Sequence, residues 1–197
     1  IEKINKFIGM DSIKNNLVDH ILFYLQSENL NIDNNEKDIM HTVITGPPGV
    51  GKTEFAKALG ELYLKMGILK NNKFFKVTRS DLVAKYLGQT AIKTRDMINK
   101  CKGGVMFIDE VYSLGHPEKR DSFSKECIDV LNQNLTENKG NFICIIAGYK
   151  DDNKRNFFAM NPGLERRFPW RISMSDYDSE ELREIFINIE LILNSLY

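Results

Sequence analysis

GPPGVGKT, residues 46–53, decides the fold of this 197-residue chain. It fits the spacing G-x-x-x-x-G-K-[ST] and lies between a short apolar run, HTVIT (41–45), and an amphipathic segment that starts at Lys52. Glycines at this spacing let successive backbone N–H groups turn inward and form a nest for phosphate oxygens. Lys52 can reach the terminal phosphates as a point charge, and the Thr53 hydroxyl can ligate Mg²⁺. The positive end of the following helix adds to anion binding. The expected binding segment is therefore Gly46, Pro47, Pro48, Gly49, Val50, Gly51, Lys52, Thr53 and the adjoining Glu54. A chance match in a chain of this length has odds on the order of 1% at ordinary glycine frequency, and placement between strand and helix lowers them further.

Outward from this loop the chain alternates. The run 41–45 reads as a strand and residues 52–66 as a helix, with Phe55, Leu59, Leu62 and Met66 inward and Gly67 as its stop. FFKVT (74–78) is strand-like, and residues 90–101 suit a helix capped by Thr90. VMFID (105–109) is a continuous apolar run, as a fully buried strand requires. Phe123, Cys127, Leu131 and Leu135 recur every four residues along another helix, FICIIA (142–147) and WRISM (170–174) are further strands, and 178–196 is a last amphipathic helix capped by Asp178 or Ser179. Before the loop, Asp11 or Ser12 caps a helix with Ile13, Leu17, Ile21, Leu22 and Leu25 on one face, and the polar stretch 27–38 reads as a loop. This alternation predicts an α/β fold, a five-stranded parallel sheet sandwiched by helices. Parallel strands end at one edge, so Asp109 should emerge beside the phosphate loop. There Asp109 can hold magnesium, and Glu110 can orient or deprotonate an attacking water.

Composition sets outer limits. The chain is 42% hydrophobic and 27% charged, ordinary for one globular domain or a domain plus a fragment. Its 27 basic and 27 acidic side chains cancel, which removes a global pull toward nucleic acid or an anionic membrane. Cys101, Cys127 and Cys144 are odd in number and lack CxxC spacing, which argues for a reducing compartment. No run reaches the roughly 18 apolar residues of a membrane span. His20, His41 and His116 show no ligand spacing and read as structural or exposed; Trp170 and the phenylalanines read as core.

Five segments in order, GPPGVGKT, VTRSDLVAKYLGQT, KGGVMFIDEVYSL, FICIIAGYKDD and NPGLERRF, resemble the AAA+ ATPases. The branch they resemble is the CbbX group, which includes red-type Rubisco activases and stage V sporulation protein K-like ATPases. The resemblance runs from KFIGMDSIKNNL to SDYDSEELREIF. It implies ATP and Mg²⁺ as ligands, a homo-oligomeric ring (a hexamer) and a protein client, in cytoplasm or plastid. Ile8 and Gly9, with Phe7, match the segment that packs on adenine; Phe7 serves equally as a hydrophobic lead into the first helix. Tyr149 stands at the sensor position, where most AAA+ proteins carry Asn, Ser or Thr. Arg166 and Arg167 resemble arginine fingers that enter a neighbour's site, the alternative being a solvated surface pair. Arg167 matches close relatives better and Arg166 other AAA+ members.

The stretch LVAKYLGQT (82–90) places an aromatic in a polar, turn-like passage. Tyr86 is either tucked into the core or held out to grip something. By resemblance, Tyr86, Leu87 and Gly88 match an aromatic–hydrophobic–glycine pore loop facing the channel of a ring. The resemblance also implies a division into a nucleotide-binding α/β part (1–177) and the start of a helical lid (178–197). The chain starts at Ile1 and stops near where a first lid helix should finish, so the expectation is a segment of something longer, lacking most of the lid and its sensor arginine. Such a segment is expected to assemble poorly and hydrolyse ATP slowly.

Overall fold

The computed structural model describes residues 4, 7–29, 40–86, 88–115 and 121–194. Five strands form one all-parallel sheet: β1 (Thr42–Thr45), β2 (Phe74–Val77), β3 (Val105–Ile108), β4 (Ile143–Gly148) and β5 (Trp170–Ser173), in the order β2-β3-β4-β1-β5. Period-two alternation splits the central strands between two apolar layers. Met106, Ile108, Cys144 and Ile146 face α4 (Thr90–Cys101) and α5 (Ser122–Glu137), where Ile98, Cys127, Leu131 and Leu135 bury. Phe107, Ile145 and Ile172 face α1 (Asp11–Asn29) and α2 (Lys52–Lys65), with Ile13, Leu17, Phe55 and Leu59. Each such large side chain contributes roughly 1.5–3 kcal/mol on leaving water, so the two layers are what holds the sheet between its helices.

The helix ends follow the sequence in part. Gly67, at φ 77°, stops α2: its N–H donates to the Leu64 carbonyl, and Ile68 N–H donates to Tyr63. Asp178 caps α6 (Ser179–Asn194) by accepting from Glu180 and Glu181 N–H, and the Glu181 carboxylate accepts in return from the Asp178 N–H. Thr90 does not cap its helix. It is the first helical residue of α4, fully buried, and its hydroxyl accepts from the Ala84 N–H, so the loop before it has taken the acceptor.

Three apolar expectations also fail. Leu22 and Leu25 of α1 are about half exposed, and Phe186 of α6 is 67% exposed, because a face predicted by period alone needs a partner to cover it. Trp170, at the start of edge strand β5, is only half-buried. His41 is wholly buried, its Nδ1 accepting from Cys144 N–H and its Nε2 donating to the Leu135 carbonyl. Burial, opposed by the bond to Leu135, lowers its pKa to about 4, so the ring is neutral. The side chain of His20, and His116 and residues 30–39, 195–197 and Leu87, lie outside what is described. The three cysteines are buried and unpaired, and burial pushes their thiols up, so they act as small hydrophobes. Among the described residues, no helix is long and apolar enough to cross a membrane.

Candidate active site

The register explains why distant segments meet. Thr45 of β1 is level with Gly148 of β4, and Ile108 of β3 with Ile146, so all three strands end at one edge. The segments that leave these strands share that edge: residues 46–53, Asp109–Glu110 and Tyr149. They contribute to one cavity of about 350 Å³ lined by Pro48, Gly49, Gly51, Lys52, Thr53, Glu54, Asp109, Glu110, Tyr112, Gly148 and Tyr149.

The loop's backbone has the form its glycines allow. Gly49 and Gly51 sit at φ 81° and 87°, in the left-handed region that turns N–H groups into a nest. At Gly46 a Cβ would lie 2.6 Å from the Met174 carbonyl oxygen, so a larger residue would lift the loop off the sheet. Val50 is buried as an anchor, and the Tyr177 hydroxyl donates to its carbonyl at 3.1 Å. Lys52 Nζ donates to the carbonyls of Gly46 (2.9 Å) and Pro47 (2.5 Å) and stands 5.7 Å from the centre of the Tyr149 ring. Two of its three donors are thereby tied to the loop, which fixes the charge beside the nest.

Across the cavity, Asp109 Oδ1 accepts from the Glu110 N–H at 3.1 Å, and Oδ2 pairs with Lys76 Nζ of β2 at 2.8 Å. Glu110 itself adopts φ 49°, ψ 48°, a conformation that costs a non-glycine residue roughly 1–2 kcal/mol. That strain turns the chain sharply from β3 into a single 3-10 turn, Val111–Leu114. The turn carries Tyr112, whose ring stacks on Tyr149 with centroids 5.8 Å apart. Burial first, and then the nearby Glu110 charge, push the Tyr112 hydroxyl up to about 12. Thr53 and Asp109 offer hard oxygen atoms of the kind Mg²⁺ takes, in a cavity that also holds the nest and Lys52; the donor set fits a metal–nucleotide.

Other predicted residues lie elsewhere. Ile8 and Gly9 are half-buried, Gly9 against Glu181 of α6, and neither lines the cavity; nor do Gly46, Pro47 and Val50, which shape the loop from behind. Phe7 packs edge-on to Phe55 at 5.7 Å. Arg166 and Arg167 occupy a 3-10 turn, Glu165–Arg167, at the start of β5 and therefore at the opposite edge of the sheet. Tyr86 is 69% exposed and Gly88 is exposed at φ 77°. Arg79 and Tyr112 lie within the segments that carry the resemblance, yet nothing in the sequence assigned a role to them or to Lys76. Arg79 begins a short helix, α3 (Arg79–Leu82), donates to the Ser113 and Leu114 carbonyls and to Ser124 Oγ, and pairs with Asp121. Asp121 in turn caps α5; burial raises its pKa, and the Ser124 and Arg79 bonds outweigh that and hold it at about 2.

Comparison with known proteins agrees with this geometry. Residues 42–174 match the family described as ATPase family associated with various cellular activities (AAA). A putative cfxQ-like protein of Acanthamoeba polyphaga mimivirus is 47% identical over 184 residues, 93% of this chain and 44% of that protein. Stage V sporulation protein K of Bacillus subtilis is 37% identical over 191 residues, 94% of this chain and 58% of that protein. The chain thus spans about half the length of the curated relatives it matches. Among solved structures, the FIGL-1 AAA domain in complex with ADP superposes with a TM-score of 0.63 at 18% identity, covering 94% of this chain and 60% of that one, a likeness of fold.

Proposed function

The chain belongs to the AAA family of ATPases, in the group that holds the CfxQ-like proteins and stage V sporulation protein K, and from that premise we propose that it drives remodelling of a protein client by hydrolysing ATP. The observation that carries the proposal is the convergence of Lys52, Thr53, Asp109, Glu110 and Tyr149 on one cavity. Lys52 and the nest bind the phosphates and neutralise their charge. Thr53 and Asp109 would hold Mg²⁺, which would supply charge neutralisation at the phosphates. Glu110 orients the attacking water and takes its proton. Tyr149, in the sensor place, stands against Lys52 and reports on the same phosphates.

In this reading the site is completed by a neighbour in a homo-oligomeric ring, a hexamer. Arg166 and Arg167 lie at the far edge of the sheet from their own cavity, which suits a finger offered to the next subunit. Tyr86, Leu87 and Gly88 form the client-gripping pore loop, and the exposure of Tyr86 supports that role over a core one. Residues 1–177 form the nucleotide-binding part and residues 178–197 the start of a lid; Ile8 and Gly9 pack on adenine in this reading. Buried, unpaired cysteines support a reducing compartment, cytoplasm or plastid. The balanced charge disfavours action on DNA.

Glu110→Gln in the complete protein tests the reading. The variant binds ATP with wild-type affinity while turnover falls by a factor of about 10²–10⁴, the usual worth of a general base. Holding ATP, it also retains its client. Wild-type turnover would remove Glu110 from the mechanism, and a wild-type protein that binds but hardly hydrolyses ATP would make this a nucleotide-dependent assembly switch.

A further inference from the structure

The side chains that line the cavity carry an unexpected balance of charge for a site that binds phosphates. Of the described lining residues, Glu54, Asp109 and Glu110 bring three carboxylates and Lys52 the one ammonium group. Taken alone, such a set of hard oxygens attracts divalent cations rather than anions. Two lysines outside the lining alter that balance. Lys57 pairs with Glu54 at 2.7 Å, and Lys76 pairs with Asp109 at 2.8 Å. The first is an exposed pair within one helix, of a kind that solvent screens. The second crosses between strands to the carboxylate assigned to the metal.

Strand register brings Lys76 there. β2 runs level with β3, so Lys76 stands beside Phe107. By the period of two, Lys76 shares a face with Phe74, whose ring stacks on Phe107 at 5.5 Å. That is the face turned to α2, the helix that begins at Lys52. Asp109 follows Phe107 by two residues, a gap that a long, flexible side chain spans. Because β2 is an edge strand, a lysine in it also guards against pairing with another strand. A guard needs only exposure, however, whereas Lys76 reaches a carboxylate that is 25% exposed and whose other oxygen already accepts from the Glu110 N–H. Both oxygens of Asp109 are thus held, one by a backbone dipole and one by a full positive charge.

We propose that Lys76 determines what Asp109 accepts: paired with Oδ2, it opposes a bare divalent cation and is outweighed when the cation comes with phosphates. The assignment rests on the reading of Thr53 and Asp109 as the metal side of an ATP site. Any cation held by Asp109 must share the carboxylate with the Lys76 ammonium group, and like charges so close repel. Phosphate oxygens, gathered by Lys52 and the nest, bring the negative charge that offsets this repulsion. Lys76 therefore makes metal uptake depend on nucleotide uptake, although it does not itself line the cavity. Without it, the three lining carboxylates would collect metal in the absence of nucleotide.

The test is Lys76→Met in the complete protein, which keeps the length of the side chain and removes its charge. The probe is Mn²⁺, which takes the same oxygen ligands as Mg²⁺ and is followed by its electron paramagnetic resonance signal. Without nucleotide, the variant should bind Mn²⁺ about five-fold more tightly than the wild type, the upper worth of a half-exposed ion pair. Lys76→Arg, which restores the charge, should return the affinity to the wild-type value. Unchanged or weaker Mn²⁺ binding in Lys76→Met overturns the assignment, even if the melting temperature falls, because that is the mark of a merely structural lysine. Tightening that Lys76→Arg retains overturns it as well. Asp109→Asn separates the proposal from the reading beneath it. If Asp109→Asn loses the Mn²⁺ bound together with ATP while Lys76→Met binds free Mn²⁺ as the wild type does, Lys76 alone is sunk. If Asp109→Asn keeps that Mn²⁺, the premise falls.

Discussion

The cavity at the strand ends and the segment around Tyr86 are built on opposite plans. In the cavity the charged and aromatic groups hold one another: Lys52 is tied by two loop carbonyls, Asp109 by Lys76 and a backbone N–H, Tyr149 by the stacked ring of Tyr112. Tyr86 is displayed instead, 69% exposed on a passage that turns at Gly88. A site that acts on charge needs fixed dipoles, because reorganising them during the reaction would raise the barrier. A surface that grips varied polypeptide needs a projecting aromatic and freedom to move. Between the two regions stands Arg79, which starts the short helix leading toward Tyr86 and grips the turn that leaves Glu110.

The largest effect on this contrast is expected from the groups a neighbour would bring to the cavity. If a neighbour finishes it, Arg166→Ala or Arg167→Ala should lower turnover on the order of 10³-fold in the assembled protein, the lower range for such a finger. ATP binding should persist, and the variant with the larger loss identifies the finger. Wild-type turnover in both, and in the double variant, would return the pair to the solvent and make the cavity self-sufficient.

A smaller effect concerns the sheet beneath the cavity. His41 is neutral when folded, with a pKa of about 4 against about 6.5 when unfolded, so the unfolded chain binds the extra proton. Its contribution is whole above pH 6.5 and is lost as pH falls from there to 4, at up to about 1.4 kcal/mol per pH unit. Denaturant melts between about pH 7 and 4.5 should show this slope, and His41→Gln should flatten it. An equal slope in the variant would place the acid sensitivity elsewhere.

These two regions were also unequally legible in the sequence. GPPGVGKT and the strand ending in Asp109–Glu110 carry their geometry in local spacing, and parallel topology does the rest, so the cavity's main groups could be placed from the residues alone. Tyr86 was legible as an oddity, an aromatic in a turn-like passage. What stayed hidden were contacts between residues far apart in the chain: Lys76 with Asp109, Arg79 with Asp121, Tyr177 with the Val50 carbonyl. Periodicity records which face a residue takes and says nothing about its partner. Thr90 failed for a related reason, since its hydroxyl could serve either its own helix or the loop before it. Tyr112 stands two residues beyond the acidic pair and could have been suspected, yet its direction depends on the left-handed Glu110, which no spacing announces.

The most direct test of the division between a fixed hydrolytic cavity and a displayed grip is Tyr86→Ala in the complete protein. ATP turnover and unfolding of the client captured by Glu110→Gln are measured side by side. Removing an exposed side chain should change stability by no more than about 0.5 kcal/mol. ATP should be bound and hydrolysed at wild-type affinity and rate while the client is left untouched. Undiminished work on the client would contradict it, as would loss of ATP turnover in step with that work.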